Sequence, residues 1–240
     1  MKQQFQKGLR AGIPIALGYI PVSIGYGMLA QGGGLSILQA VLISMTNFTS
    51  AGQVAGTNLI FSCAPLVEIA AATFIINIRY MLMSLALSQK ADPAMTLLQR
   101  FIVGFGITDE VYALASMEKG MLTFAFMLGL IVGPFCGWTA GTWIGAAAST
   151  LLPASVKSAF GVSLYAMFIA IVIPSAKKSK GILCTAALAA GIRCALYYVP
   201  GLRRISAGWA VIITAVLASA AAAWLVPLRT AEKETKEAER

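Results

Sequence analysis

An apolar run long enough to cross a lipid bilayer, with an asparagine and an arginine in it, constrains this chain more than any other feature. Residues 64–87 read Ala-Pro-Leu-Val-Glu-Ile-Ala-Ala-Ala-Thr-Phe-Ile-Ile-Asn-Ile-Arg-Tyr-Met-Leu-Met-Ser-Leu-Ala-Leu. As a helix rising 1.5 Å per residue the run covers about 36 Å, against a hydrocarbon core of roughly 30 Å, which puts Asn77 and Arg79 inside or at the edge of the apolar slab. Polar and ionisable groups at that depth are costly and mark sites. Glu68 lies eleven positions before Arg79. On a helix the two fall about 20° apart on one face and about 16 Å apart along the axis, so they define a polar stripe and not an ion pair.

The rest of the chain uses the same solvent. With 58% apolar and 11% charged residues and a mean hydropathy of +0.80, it departs from soluble domains, where about 25% of residues are charged. The expected fold class is all-α, a polytopic membrane bundle of about six to eight spans that includes discontinuous or re-entrant helices. The net charge of +9 comes from basic residues set singly between apolar runs, a topology signal and not a nucleic-acid stripe. No signal peptide is evident at residues 1–10. The chain has no histidine, which removes Ser-His hydrolysis, His-ligated metals and a His proton relay. Its four cysteines form no C-x-x-C pair, and no phosphate-binding glycine loop occurs. An intramembrane aspartyl protease is a poor fit, since Asp92 and Asp109 are the only aspartates. The expectation is therefore a non-enzyme without cofactor or metal. Residues 1–10 read as a cytoplasmic N-terminal segment, 11–228 as one transmembrane domain, and 229–240 as a charged tail.

Six segments read as spans: 11–31, 64–87, 121–145, 159–174, 181–199 and 207–227. The first carries Pro14, Pro21, Gly18, Gly25 and Gly27, which predicts either a kinked packing helix or a discontinuous helix lining a site. Segment 35–62 is apolar at its ends, but Ser44, Thr46, Asn47, Thr49, Ser50 and Gln53 crowd its centre. It is either a span whose polar side meets protein or water, or a re-entrant loop. Those uncharged groups act as interhelical glue or as hydrogen-bonding partners of a zwitterion. Segment 101–118, with Thr108, Asp109 and Glu110, reads as a half-buried or broken helix. There Thr108 or Asp109 caps a helix whose first turn holds the acids, or the acids face the stripe of Arg79.

Gly129, Gly133, Gly137, Gly141 and Gly145 recur every four residues, a ridge that another helix, in this chain or another subunit, can approach closely. Placing Lys2, Lys7, Arg10, Lys90, Arg100 and Lys177 to Lys180 on the cytoplasmic side requires that neither 35–62 nor 101–118 makes a net crossing.

Five stretches in order carry a family resemblance: Gly18-Tyr-Ile-Pro-Val-Ser-Ile-Gly-Tyr-Gly27, Ser50-Ala-Gly-Gln53, Ile76-Asn-Ile-Arg-Tyr80, Ile107-Thr-Asp-Glu-Val-Tyr-Ala-Leu114 and Ala166-Met-Phe-Ile-Ala170. From about residue 5 to about residue 227 the chain resembles AzlC-type branched-chain amino-acid permeases. The resemblance implies export of valine, leucine, isoleucine and their analogues across a bacterial cell membrane, together with a small AzlD-like membrane subunit. Tyr80 stands where relatives often have His, and residues 161–165 lack an acid that many carry, so a His- or Asp-based proton step does not carry over. The candidate substrate-binding residues are Asn77, Arg79, Gln53, Asn47, Thr49, Ser50, Tyr19, Pro21, Thr108, Asp109 and Glu110, with the backbone at Gly18–Pro21 as an unwound helix end and Arg79 holding either a substrate carboxylate or Asp109. The other reading is a non-transporting membrane scaffold in which the polar groups only join helices.

Overall fold

The computed structural model describes residues 1–225, and the charged tail expected at 229–240 lies outside them. Helix α1 runs from Lys2 to Gly32 without interruption. The helix takes in most of residues 1–10, and one expectation is corrected: the chain does not unwind at Gly18–Pro21. Pro14 and Pro21 are seven residues apart and therefore share one helix face. Both are exposed, so their rings and orphaned carbonyls lie away from the packed side and the helix can bend there without breaking.

The packed side faces α7 (Phe124–Ala148), which contains the glycine ladder. A Cβ at Gly8, Gly12 or Gly27 would meet the carbonyl of Phe126, Leu130 or Thr142, and a Cβ at Gly129 or Gly145 would meet the carbonyl of Phe5 or Ile24. Glycines on both helices let the backbones touch, which is how helices gain dispersion energy where lipid supplies no hydrophobic drive. The ladder's partner is therefore in the same chain. Contacts advance together along both helices, from Gly8 at Phe126 to Gly27 at Thr142, so α1 and α7 run parallel.

Between them lie two helical hairpins. The first is α2 (Ile37–Thr46) and α3 (Ser50–Phe61). Its Ala40 and Phe48 share an apolar cluster with Ala30, Ala146, Tyr19 and Trp138. Phe61 returns to the space beside Gly33, at the end of α1 where the hairpin began. Helix α4 (Leu66–Ser88) then crosses the other way, so that Leu87 joins Met95, Leu122 and Phe126 near the start of α7.

The second hairpin is α5 (Leu97–Phe105) and α6 (Asp109–Met117). It enters from the opposite end. Its base is tied where Asp92 N–H donates to the Leu122 carbonyl at 3.0 Å and Leu122 N–H to that of Lys90 at 2.8 Å. Lys7 pairs with Glu118 there, while the hairpin's tip reaches Tyr19 in the middle of α1. Helix α5 begins earlier than expected, at Leu97, because Thr96 and Gln99 form a capping box. Ser36 and Gln39 form the same box on α2. Residues 36–88 and 96–148 thus repeat one plan, capped half-helix, break, half-helix, long helix, with inverted direction.

This first unit ends at Met167, within α8 (Ala154–Lys178). In the second unit α9 (Lys180–Tyr198) leads through a short 3-10 turn at Leu202–Arg204 to α10 (Ala207–Leu225), and α9 and α10 pack together. Among the described residues there is no strand, and α1, α4, α7, α9 and α10 are long and apolar enough to cross a membrane.

Candidate functional site

The two hairpin tips, Asn47 to Thr49 and Gly106 to Thr108, meet the middle of α1 at Tyr19. The Tyr19 ring packs edge-on against Phe48 at 6.2 Å and Trp138 at 5.4 Å. Its hydroxyl lies 2.9 Å from Thr108 Oγ1 and donates to the Glu110 carboxylate. Tyr19 sits twelve residues from Lys7 and fourteen from Gly33, about 18 to 21 Å from either end of the bundle. Both half-helices that leave the tips, α3 and α6, start at this depth with Thr49 and Thr108 as N-caps. Helix N-termini present outward-pointing N–H groups and partial positive charge.

The tips differ in chemistry. At the second, Thr108 Oγ1 accepts from Val111 N–H, and Asp109 and Glu110 occupy the first turn of α6, where the helix dipole favours carboxylates. Arg79 of α4 reaches across to Asp109 at 2.9 Å and donates to the Tyr80 hydroxyl, also at 2.9 Å. Of the two roles considered for Arg79, holding Asp109 is the one adopted. One cation thus faces two carboxylates.

At the first tip no ionised side chain is present. Thr49 Oγ1 donates to Asn47 Oδ1 at 2.9 Å, and the Asn77 amide approaches the same oxygen at 3.4 Å. Gly52 leaves the space that the Asn77 amide occupies above the first turn of α3. The Asn77 Oδ1 atom is buried with no hydrogen-bond partner, an acceptor left for a ligand or water. Ser50 is the first residue of α3.

One expected site residue takes another place, and a second also has a structural role. Pro21 is exposed on α1 and does not join the tips, because its ring lies on the face turned from α7. Gln53 is fully buried, its Nε2 donating to Ser44 Oγ at 2.5 Å and its Oε1 accepting from Trp138 Nε1 at 2.9 Å. Ser44 in turn lies 2.7 Å from Thr142 Oγ1. This chain of hydrogen bonds anchors the first hairpin to α7, while Gln53 also lines a groove beside the tip. Trp138, Thr142, Tyr26 and Thr57 were not foreseen. The Tyr26 hydroxyl lies 2.9 Å from Thr57 Oγ1. The available signal was that an indole N–H or a hydroxyl within an apolar span must find a partner.

A groove of about 540 Å³ opens between α2, α3 and α4, running from Asn47 at the tip past Thr57 and Thr73 to Ile60 and Leu66 at the outer end. The arrangement offers acceptors for a cation, donors for an anion and apolar walls between.

Comparison with known proteins agrees with this architecture. The model of the family described as "AzlC protein" matches residues 14–152. A membrane protein of Archaeoglobus fulgidus is 36% identical over 179 residues, 72% of this chain and 76% of its own length. Inner membrane protein YgaZ of Escherichia coli is 28% identical over 191 residues, 77% of this chain and 78% of its own. No solved structure matches significantly. With two inverted hairpins converging at mid-depth and a family match over more than half its length, the chain belongs to the AzlC family, a multi-pass membrane protein of transporter type.

Proposed function

We propose that the chain transports branched-chain amino acids, in the direction of export, and that the substrate lies between the two hairpin tips. The observation that carries this reading is the unequal pair of half-helix N-termini at one depth. The α3 tip has no ionised side chain and presents the positive end of a helix, whose first N–H groups suit an α-carboxylate. The α6 tip has two carboxylates against one arginine, which leaves a negative charge for an α-ammonium. A zwitterion placed between them has one orientation, and its aliphatic side chain has the groove beside α4.

The N-terminus is assigned to the cytoplasm of a bacterial cell. Lys2, Lys7, Lys90, Arg100 and Lys119 gather at the end from which α1 starts, whereas residues 32–36 and 62–65 at the other end carry no charge. A small AzlD-like membrane subunit is proposed as the partner. In support, α4 buries only Glu68, Ala72 and Leu87, and the Arg79 side chain is 41% exposed at a depth where lipid is a poor neighbour. The glycine ladder gives no support for a partner, since α1 fills it.

The test is efflux of labelled valine, leucine, isoleucine and methionine from cells lacking the gene and cells restored with it, with and without an uncoupler. Faster efflux on restoration is expected. Identical efflux of all four would return the chain to a scaffold role.

A further inference from the structure

A second cavity lies at the opposite end of the bundle from the α4 groove. It occupies about 220 Å³ between the end of α4, helix α5 and the start of α7. Its walls are apolar and fixed, with Leu87, Met95, Ile107, Leu122 and Met127 all buried members of one cluster. Ile107 lines it as well, one residue from Thr108 of the central site. Arg100 is its one ionised lining residue. The Nε of Arg100 donates to the Met95 carbonyl at 3.3 Å, which holds the guanidinium beside the cavity.

Gly104 also lines this space. A Cβ there would meet nothing within 4 Å, and its backbone is not left-handed. Neither close packing nor a turn accounts for a glycine near the end of α5, where it costs about 1 kcal/mol relative to alanine. What the missing side chain leaves is volume in the cavity.

We infer that this cavity is a second binding station, which takes a small aliphatic carboxylate with its acid group on Arg100 and its hydrocarbon chain among Leu87, Val103, Leu122 and Met127. This rests on the transport reading and extends it: on that topology the station faces the cytoplasm and passes substrate towards the tips. Its size, about seven times the share of liquid volume held by one water, matches an amino acid with a four- or five-carbon chain and not a lipid tail. Its chemistry differs from that of the central site. It provides a cation for the carboxylate and no carboxylate for an ammonium, so a ligand lacking the amino group should still bind.

4-Methylpentanoate, which keeps the carboxylate and branched chain of leucine without the ammonium, is the probe. Titration calorimetry on the purified full-length protein, with its subunit if one co-purifies, should detect binding to the wild type. Arg100→Gln should weaken it at least about tenfold, as expected for a lost charge-assisted pair, with Arg100→Lys recovering part. Gly104→Leu should remove binding by filling the cavity, while Gly104→Ala, whose Cβ meets nothing within 4 Å, binds within about threefold and reports that α5 still folds. Glu110→Gln, which alters only the central site, should leave 4-methylpentanoate binding within about twofold. Absence of binding to the wild type, or equal affinity in Arg100→Gln and Gly104→Leu, overturns the inference. So does affinity that rises steadily from hexanoate to dodecanoate, the signature of a lipid groove. Loss of the transport reading shows separately, as leucine efflux that is the same with and without the gene.

Discussion

The two hairpins share a backbone plan and differ in charge. Each begins at a capping box, runs inward for about ten residues, breaks, and returns as a half-helix whose N-terminus lies beside the middle of α1. The first ends in Asn47 and Thr49 with Asn77 above it, and the second in Thr108, Asp109 and Glu110 with Arg79 and Tyr19 around it. Geometry alone gives two positive helix ends that would both attract anions. The added carboxylates reverse one of them. A site with two like ends binds a symmetrical ligand, whereas a site with opposed ends orients a zwitterion, so the difference between the tips, more than their shared form, points to amino acids.

The largest expected effect comes from removing what both hairpins lean on. Gly145→Leu or Gly27→Leu forces a side chain into the backbone of the facing helix, and folded protein in mild detergent should fall to near background. Gly32→Leu meets open space and should leave the yield unchanged. Equal yields would mean that α1 and α7 do not carry the hairpins.

Next in size is the charged tip alone. Arg79→Leu leaves Asp109 and Glu110 without their cation, and breaking a buried pair from one side costs about 3 to 5 kcal/mol, reduced here because Arg79 is partly exposed. Transport should be lost and the melting temperature lowered. Adding Asp109→Leu should restore the melting temperature but not transport. Restored transport in the double variant would show that the pair only joins α4 to α6.

A smaller effect separates the tips by their glycines. A Cβ on Gly52 would strike the Asn77 amide and Thr49 Oγ1, whereas one on Gly106 strikes only the Ile131 side chain. Isoleucine can rotate away and a positioned amide cannot move without losing its place. Gly52→Ala should therefore reduce leucine transport about tenfold or more and Gly106→Ala only a few-fold, both in folded protein. The reverse order would remove the neutral tip from the site.

Much of this was legible from residue chemistry. Asn47, Thr49 and Ser50 within an apolar segment left a polar-sided span or a re-entrant loop as the choices, since lipid cannot satisfy a polar face, and the second is the one found. The glycine ladder announced a close helix contact, and Thr108 before two acids announced a cap. Other features were hidden in long-range geometry. Pro14 and Pro21 left a kinked helix and a broken one equally open, because both point away from the seam and that direction is known only once α7 is placed. The α1 half of the seam, Gly8, Gly12 and Gly27, lacks a regular four-residue spacing and starts ahead of the expected span. The anchoring role of Gln53 was hidden because its partner, Trp138, lies 85 residues away. One pattern was readable and passed unused: Ser36-Ile-Leu-Gln39 and Thr96-Leu-Leu-Gln99 stand sixty residues apart and open the two halves of the inverted repeat.

The smallest expected effect concerns the two threonines that begin α3 and α6. Thr108 caps its helix through Val111 N–H and also meets Tyr19. Thr49 makes no such cap and turns its hydroxyl to Asn47 instead. Valine at 108 keeps the shape but removes the cap, a loss of about 1 kcal/mol, so Thr108→Val should lower the melting temperature by a few degrees. Thr49→Val loses no cap and should leave the melting temperature unchanged, but it frees Asn47 Oδ1 to turn and should raise the KM for leucine with little change in kcat. The two readouts thus cross: stability moves at one tip and apparent affinity at the other. Matching losses of stability from both variants would make Thr49 an ordinary cap and take the carboxylate contact away from the α3 tip.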